Sequence, residues 1–177
     1  MKKILCFAVT LLAFTSLTFA QTNELTKEQL YRTKFNNYTF KELIETQSNL
    51  SKINKLLGFP DSIRKGKGGI GEGWVRYKFS TGFVLGFIDM NSAEFTIGIN
   101  FIRASEITVK GISAKVGSSA DTLLKNFTPI TLSDGNKAIQ FIPDGNTCCP
   151  ITIRYTPQDN SITYITYKVD AKKLYTF

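Results

Sequence analysis

Histidine is absent from all 177 residues, and with it most familiar catalysis. No Ser-His-Asp or Cys-His relay is available, no imidazole shuttle near neutral pH, and none of the usual histidine-containing zinc sites. Cysteine is scarce: Cys6 falls in the first twenty residues, which leaves the adjacent pair Cys148-Cys149. Adjacency matches neither the C-x-x-C redox motif nor a zinc spacing. The pair closes into a vicinal disulfide, bridges to another chain, or stays reduced in a turn. A closed vicinal ring is strained and the more easily reduced for it. Blocks of like charge are missing too, so the net charge of +8 is scattered and does not form a nucleic-acid-binding stripe. Ser118 and Ser119 have no lysine at S-x-x-K spacing to activate them and read as helix caps. No cofactor, metal or nucleic acid is expected.

What is present begins with an export signal. Lys2 and Lys3 precede an apolar run from Ile4 to Phe19, and Thr18-Phe19-Ala20 supplies a cleavage site after Ala20. The run is shorter than the roughly 20 apolar residues of a membrane span and is interrupted by Thr15, Ser16 and Thr18. Cleavage removes two lysines and no acids, which leaves a net charge of +6 on residues 21–177, enough chain for one ordinary domain. The expectation is a periplasmic or secreted protein without stable membrane insertion, its partner a protein or an envelope component.

Hydrophobic period divides the remainder into an N-terminal extension (21–37), a first α+β repeat (38–105) and a second (106–177). In residues 39–58, Phe40, Leu43, Ile44 and Gln47 lie at helical spacing. Leu50, Ile53, Leu56 and Leu57 follow after Ser48-Asn49, either of which suits a new helix cap. The spacing predicts helix, break, helix, stopped by Gly58 with Pro60 behind it. Strands are predicted at Ser62–Lys65, Trp74–Ser80, Phe83–Asp89 and Glu94–Arg103. The second passage opens with "ITVKGI" (107–112) read as one strand and a helix over Ser118–Phe127, capped by Ser118 or Ser119. Strands follow at Ile130–Leu132, Ala138–Ile142, Ile151–Thr156 and Ser161–Val169. Offsets agree at Phe59 to Phe127 and Phe83 to Ile151, both 68 residues, and at Phe95 to Ile162, 67; the middle strand slips, Trp74 to Ala138 being 64, because the glycine loop lengthens the first copy. The fold class is α+β: two tandem repeats of helix plus antiparallel meander, helices packed on one face of the sheet.

"LLGFPDS" (56–62), "GWVRYKF" (73–79) and "VGSSADTLLKNF" (116–127) carry a resemblance to the repeat of β-lactamase-inhibitor-protein-like domains. The same unit occurs singly in small outer-membrane-assembly lipoproteins. The resemblance implies a non-enzymatic interaction domain over most of residues 38–169 and names no partner. The chain departs from both groups in lacking a lipid-bearing cysteine and a disulfide in each half.

"GKGGIG" (66–71) is a literal G-x-G-x-x-G. A phosphate-binding loop of that form needs a helix directly after it, whose free amides and dipole meet the anion. Here "EGWVRYKF" follows, alternating as a strand, so the loop reads as a flexible hairpin tip available for contact, with Lys65, Lys67 and Glu72 as its charges. Alternation places Trp74, Arg76, Lys78, Thr96, Asn100, Thr152 and Arg154 on the face opposite the apolar residues. Trp74, Arg76, Lys78, Arg154 and Lys67 are the candidate binding residues, since Trp and Arg dominate interface hot spots. Two rivals stand beside this binding module. Asp89 and Glu94 flank a turn and suit a carboxylate-dependent hydrolase or carbohydrate-active protein. An exposed, reversible Cys148-Cys149 suits thiol redox.

Overall fold

The computed structural model describes residues 23–67, 73–89, 98–143 and 149–168. In chain order the elements open with β1 (Glu24–Leu25), α1 (Lys27–Arg32), β2 (Lys34–Phe35) and β3 (Tyr38–Thr39). So the predicted extension is largely structured, and its Leu25 and Phe35 are buried in the core. Thr26 and Gln29 form a reciprocal capping box that starts α1. Two-residue strands leave too little pattern for periodicity to detect.

The helix–break–helix follows as α2 (Phe40–Glu45) and α3 (Leu50–Leu57). Thr39 and Glu42 repeat the capping box, and that hydrogen bonding from Thr39 holds the Glu42 carboxyl below its usual range. Asn49, not Ser48, caps α3 by accepting from the Lys52 amide, and Gly58 ends it at φ 80°. The break itself is left-handed, with Gln47 at φ 48° and Ser48 at φ 59°. Such a backbone is costly for residues with a Cβ. Tyr77 secures it: its phenol donates to the Ser48 carbonyl over 2.9 Å.

The strands of the first meander are β4 (Ser62–Lys67), β5 (Gly73–Lys78), β6 (Val84–Asp89) and β7 (Gly98–Ala104). Then "ITVKGI" departs from its predicted single strand. It is a hairpin of β8 (Glu106–Val109) and β9 (Ile112–Lys115), turned by Lys110 at φ 49° and Gly111 at φ 79°. Two successive positive φ angles match the twist of tight hairpins, and lysine in the first of them hides the signal that Asn-Gly would give. Next come α4 (Asp121–Asn126), β10 (Ile130–Thr131), β11 (Lys137–Pro143), β12 (Ile151–Tyr155) and β13 (Ile162–Lys168). The cap of α4 is Ala120, not a serine; the Ser119 hydroxyl instead accepts from the Asp121 amide.

The molecule is thus mixed α and β, with open sheets. The large sheet runs β1-β11-β12-β13-β7-β6-β5-β4, with β10 also on β11, and the small one runs β3-β2-β8-β9. Antiparallel β7 and β13 meet at the centre of the large sheet, Ala104 opposite Ile165 and Phe101 opposite Lys168. One apolar cluster joins helix residues Leu43, Ile53 and Leu123 to strand residues Leu85, Phe87, Ile102, Ile139, Ile151 and Ile153. Phe40 of α2 meets Tyr167 of β13 edge-on at 5.4 Å, and Phe127 after α4 meets Phe141 of β11 at 4.7 Å. Burial of this set at about 1.5–3 kcal/mol per large side chain is the dominant stabilising term. Asn36, at φ 54°, ties the early chain to the β7–β8 junction by accepting from the Ser105 and Glu106 amides.

Candidate functional site

Strand alternation sends Tyr77, Leu85, Phe87, Ile102 and Ile165 into the core and their neighbours to the other side, the outer face. Its residues line up in rungs across the strands. One rung reads Arg64, Arg76, Gly86, Phe101, Lys168; the next reads Ser62, Lys78, Val84, Arg103, Thr166, Thr152, Gln140. A β-bulge shapes the first rung. Gly86 is opposite Phe101 and Phe87 is opposite Ile99, so Asn100 is the extra residue. Gly86 is needed here, because a Cβ on it would stand 2.9 Å from Asn100 Oδ1 and 3.0 Å from Phe101 Cβ. A similar close approach occurs at Gly66, over which the Trp74 indole lies.

Flattening the surface at Gly86 lets Arg76 cross it. The Arg76 guanidinium carbon lies 5.4 Å from the Trp74 ring centre and 4.9 Å from that of Phe101, a cation held between two aromatic faces. Arg103 repeats the motif 5.0 Å from the Tyr164 ring. Arg154 is opposite Tyr164 in the β12–β13 register and forms an ion pair of 2.9 Å with Asp134. Hydrogen bonding from Asn136 holds the Asp134 carboxyl below its usual range, and the Arg154 charge adds to the effect. Beside Arg154 and Lys168 a depression of about 350 Å³ is lined by Gln140, Thr152 and Thr166.

No protein-family model matches the chain, and no curated protein matches it. Among solved structures, a cysteine-rich secretory protein of Staphylococcus aureus subsp. aureus Mu50 aligns with 70% of this chain and 43% of its own. Identity is 9% and the TM-score 0.38, so the likeness supports no argument about this chain, which spans less than half of that protein.

The structure brings together Trp74 and Arg76, puts Lys78 on the neighbouring rung, and connects Arg154 to them through Tyr164 and Arg103. Lys67 stands away from Arg76 and Lys78 but shares a cavity with Trp74. It pairs with Gly73 at the end of the β4–β5 ladder and alternates to the opposite side from Gly66 and Trp74. The cavity, of about 530 Å³, is lined by both sides of the strand end: Lys65, Lys67, Val75, Tyr77 and Phe87 together with Ser48, Gly66 and Trp74. Sequence reasoning missed Arg64, Phe101, Arg103 and Tyr164. Their membership depends on cross-strand register and on a bulge, neither of which one sequence displays.

Glycine-rich residues 68–72 lie outside the described residues, as do Thr96, Glu94 and Cys148; what surrounds the glycines is described. Gly73–Lys78 is a strand, not a helix, paired with β4 before it and β6 after it. Asp89 ends β6. Cys149 is disulfide-bonded and buried, its partner outside the described residues. Among the described residues no cluster of three or more Cys, Asp or Glu side chains is placed to hold a metal, and no helix is long and apolar enough to cross a membrane.

Proposed function

We propose that this is an exported, non-enzymatic binding module that engages another protein or an envelope component through the outer sheet face and the glycine-rich hairpin. The observation that carries the reading is the stacking of Arg76 between Trp74 and Phe101 on an open sheet. Arginine and tryptophan held rigid by each other lose little freedom on contact, which is what makes such residues hot spots. The hairpin stems add Lys65 and Lys67 at the end of the same sheet. Export is supported by the first twenty residues, and the absence of histidine weakens an enzymatic reading.

In this reading the chain is one unit written twice, helices packed over one face. The mirrored strand order supports it: β4-β5-β6-β7 runs inward to the central seam, and β10-β11-β12-β13 runs inward from the other side. Helix contacts through Phe40 and Phe127 support it too, both reaching core-facing aromatics of the large sheet.

Site-specific photocrosslinking in the native host tests the proposal. A crosslinker at Lys78 is expected to trap a defined partner, and one at Lys52 on α3 is not. Substituting Arg76→Ala and Arg103→Ala together is expected to abolish the Lys78 adduct. An adduct that survives the double substitution, or equal adducts from both positions, would count against an outer-face site.

A further inference from the structure

We infer that the outer face recognises an acidic, extended stretch of a partner protein in which carboxylate and aliphatic side chains alternate along one side. This rests on the binding-module reading and names the chemistry of the occupant.

Charge is the first argument. The outer-face rungs present Arg64, Arg76, Lys78, Arg103, Arg154 and Lys168, and the one described acid paired with any of them is Asp134, on Arg154. Among the described residues the other five have no carboxylate within ion-pair distance. Arg64 also stands directly opposite Arg76 in the β4–β5 register. Like charges facing each other across two strands destabilise the pair, and an anion lying over both reverses the sign.

Shape is the second. The Arg76 guanidinium lies over the Trp74 and Phe101 rings and Arg103 lies over Tyr164 alone, and a guanidinium so placed has N–H groups that suit a planar, bidentate acceptor. Spacing agrees with a polypeptide. At ~4.8 Å between strands and ~3.4 Å per residue, the Arg76 and Arg103 α-carbons stand about 12 Å apart. Carboxylates four residues apart in an extended chain are separated by about 14 Å, a difference that side-chain length absorbs.

Composition is the third. Half-buried Trp74, Val84, Phe101 and Tyr164 lie among the cations. Apolar surface between charges complements a chain of the form Glu-x-Val-x-Glu, whose valine faces the sheet between two carboxylates. A polyphosphate or acidic polysaccharide has no such side chain to seat there.

The probe is a fluorescein-labelled peptide, Glu-Ser-Val-Ser-Glu-Ser-Val-Ser-Glu, titrated with the full chain and followed by anisotropy. Binding is expected to weaken at least tenfold with Arg76→Ala or Arg103→Ala, to recover in part with Arg76→Lys, and to stay unchanged with Arg32→Ala. Added salt weakens it, and replacing every Glu of the peptide by Gln abolishes it. Far-UV circular dichroism confirms that each variant is folded. Equal affinity for the Gln peptide overturns the inference, as does no anisotropy rise at millimolar protein. Tighter binding of polyphosphate with the same arginine dependence overturns it in favour of a polymer. If the peptide fails while the Lys78 adduct still depends on Arg76 and Arg103, acidic recognition falls and the binding module stands.

Discussion

Replacing Gly86 by alanine puts one methyl group at the centre of the outer face. Its Cβ would meet Asn100 Oδ1 at 2.9 Å, Phe101 Cβ at 3.0 Å and Arg76 Cγ at 3.3 Å. Asn100 and Arg76 have rotatable side chains and yield cheaply. Phe101 Cβ does not, because it is fixed to the β7 backbone, so β6 and β7 must separate locally at the bulge. Overpacking of this kind costs about 1–3 kcal/mol. The unfolded chain offsets part of it, since alanine has less freedom to lose than glycine, about 0.4–1 kcal/mol. The net expectation is a destabilisation of about 0.5–2 kcal/mol. Trp74 is the one tryptophan in the chain, so urea denaturation followed by its fluorescence reads the transition from within the site. Peptide affinity is expected to drop with stability, because moving Phe101 removes one wall of the Arg76 clamp. Gly86→Ala with a wild-type midpoint and wild-type peptide binding would show that the rung is not packed as described and would refute the argument.

Tyr77→Phe is expected to lose about 1–2 kcal/mol, because it leaves the Ser48 carbonyl without its phenol donor at a left-handed backbone; a urea midpoint within error of wild type would contradict that. Burial pushes the Tyr167 phenol up to about 12, above the ordinary tyrosine value. A raised acid favours the folded state while protonated, so its contribution is complete below pH 10 and is lost as pH climbs towards 12. The loss amounts to about 3 kcal/mol at 1.36 kcal/mol per unit, with Tyr155, also raised by burial, acting in the same direction. Denaturation from pH 9 to 12 is expected to fall more steeply for wild type than for Tyr167→Phe, and equal slopes would disprove the assignment.

Local chemistry made much of the fold readable. Ser48-Asn49 and Gly58 mark the ends of α2 and α3 because caps and stops act within a turn of chain. The strands of the large sheet follow from alternation and from glycine-bearing turns such as Ser80-Thr81-Gly82. Failures came where local signals are weak or the deciding contact is distant. Lys110 occupies a left-handed position that favours Asn or Gly, so the β8–β9 hairpin looked like one strand. β1 exists because Glu24 and Leu25 pair with Ile142 and Pro143, partners far along the chain. The capping box of Thr26 and Gln29 was the available signal for α1. At the site, Trp74, Arg76 and Lys78 were legible because one strand alternates visibly. Phe101, Arg103 and Tyr164 were not, because their position beside Arg76 depends on register across β6, β7 and β13.

Joining the sheet at β7 and β13 has a kinetic consequence. Gly98–Ala104 is made about sixty residues before the strand that covers its far edge. Until Ile162–Lys168 arrives, a seven-residue strand rich in Ile and Phe keeps one row of amides and carbonyls bare. Pairing between residues so far apart folds slowly, and a bare apolar edge recruits copies of itself. A chain arrested short of residue 162 is therefore expected to be an adhesive fragment, and Ile162–Lys168 is the clasp that closes that edge.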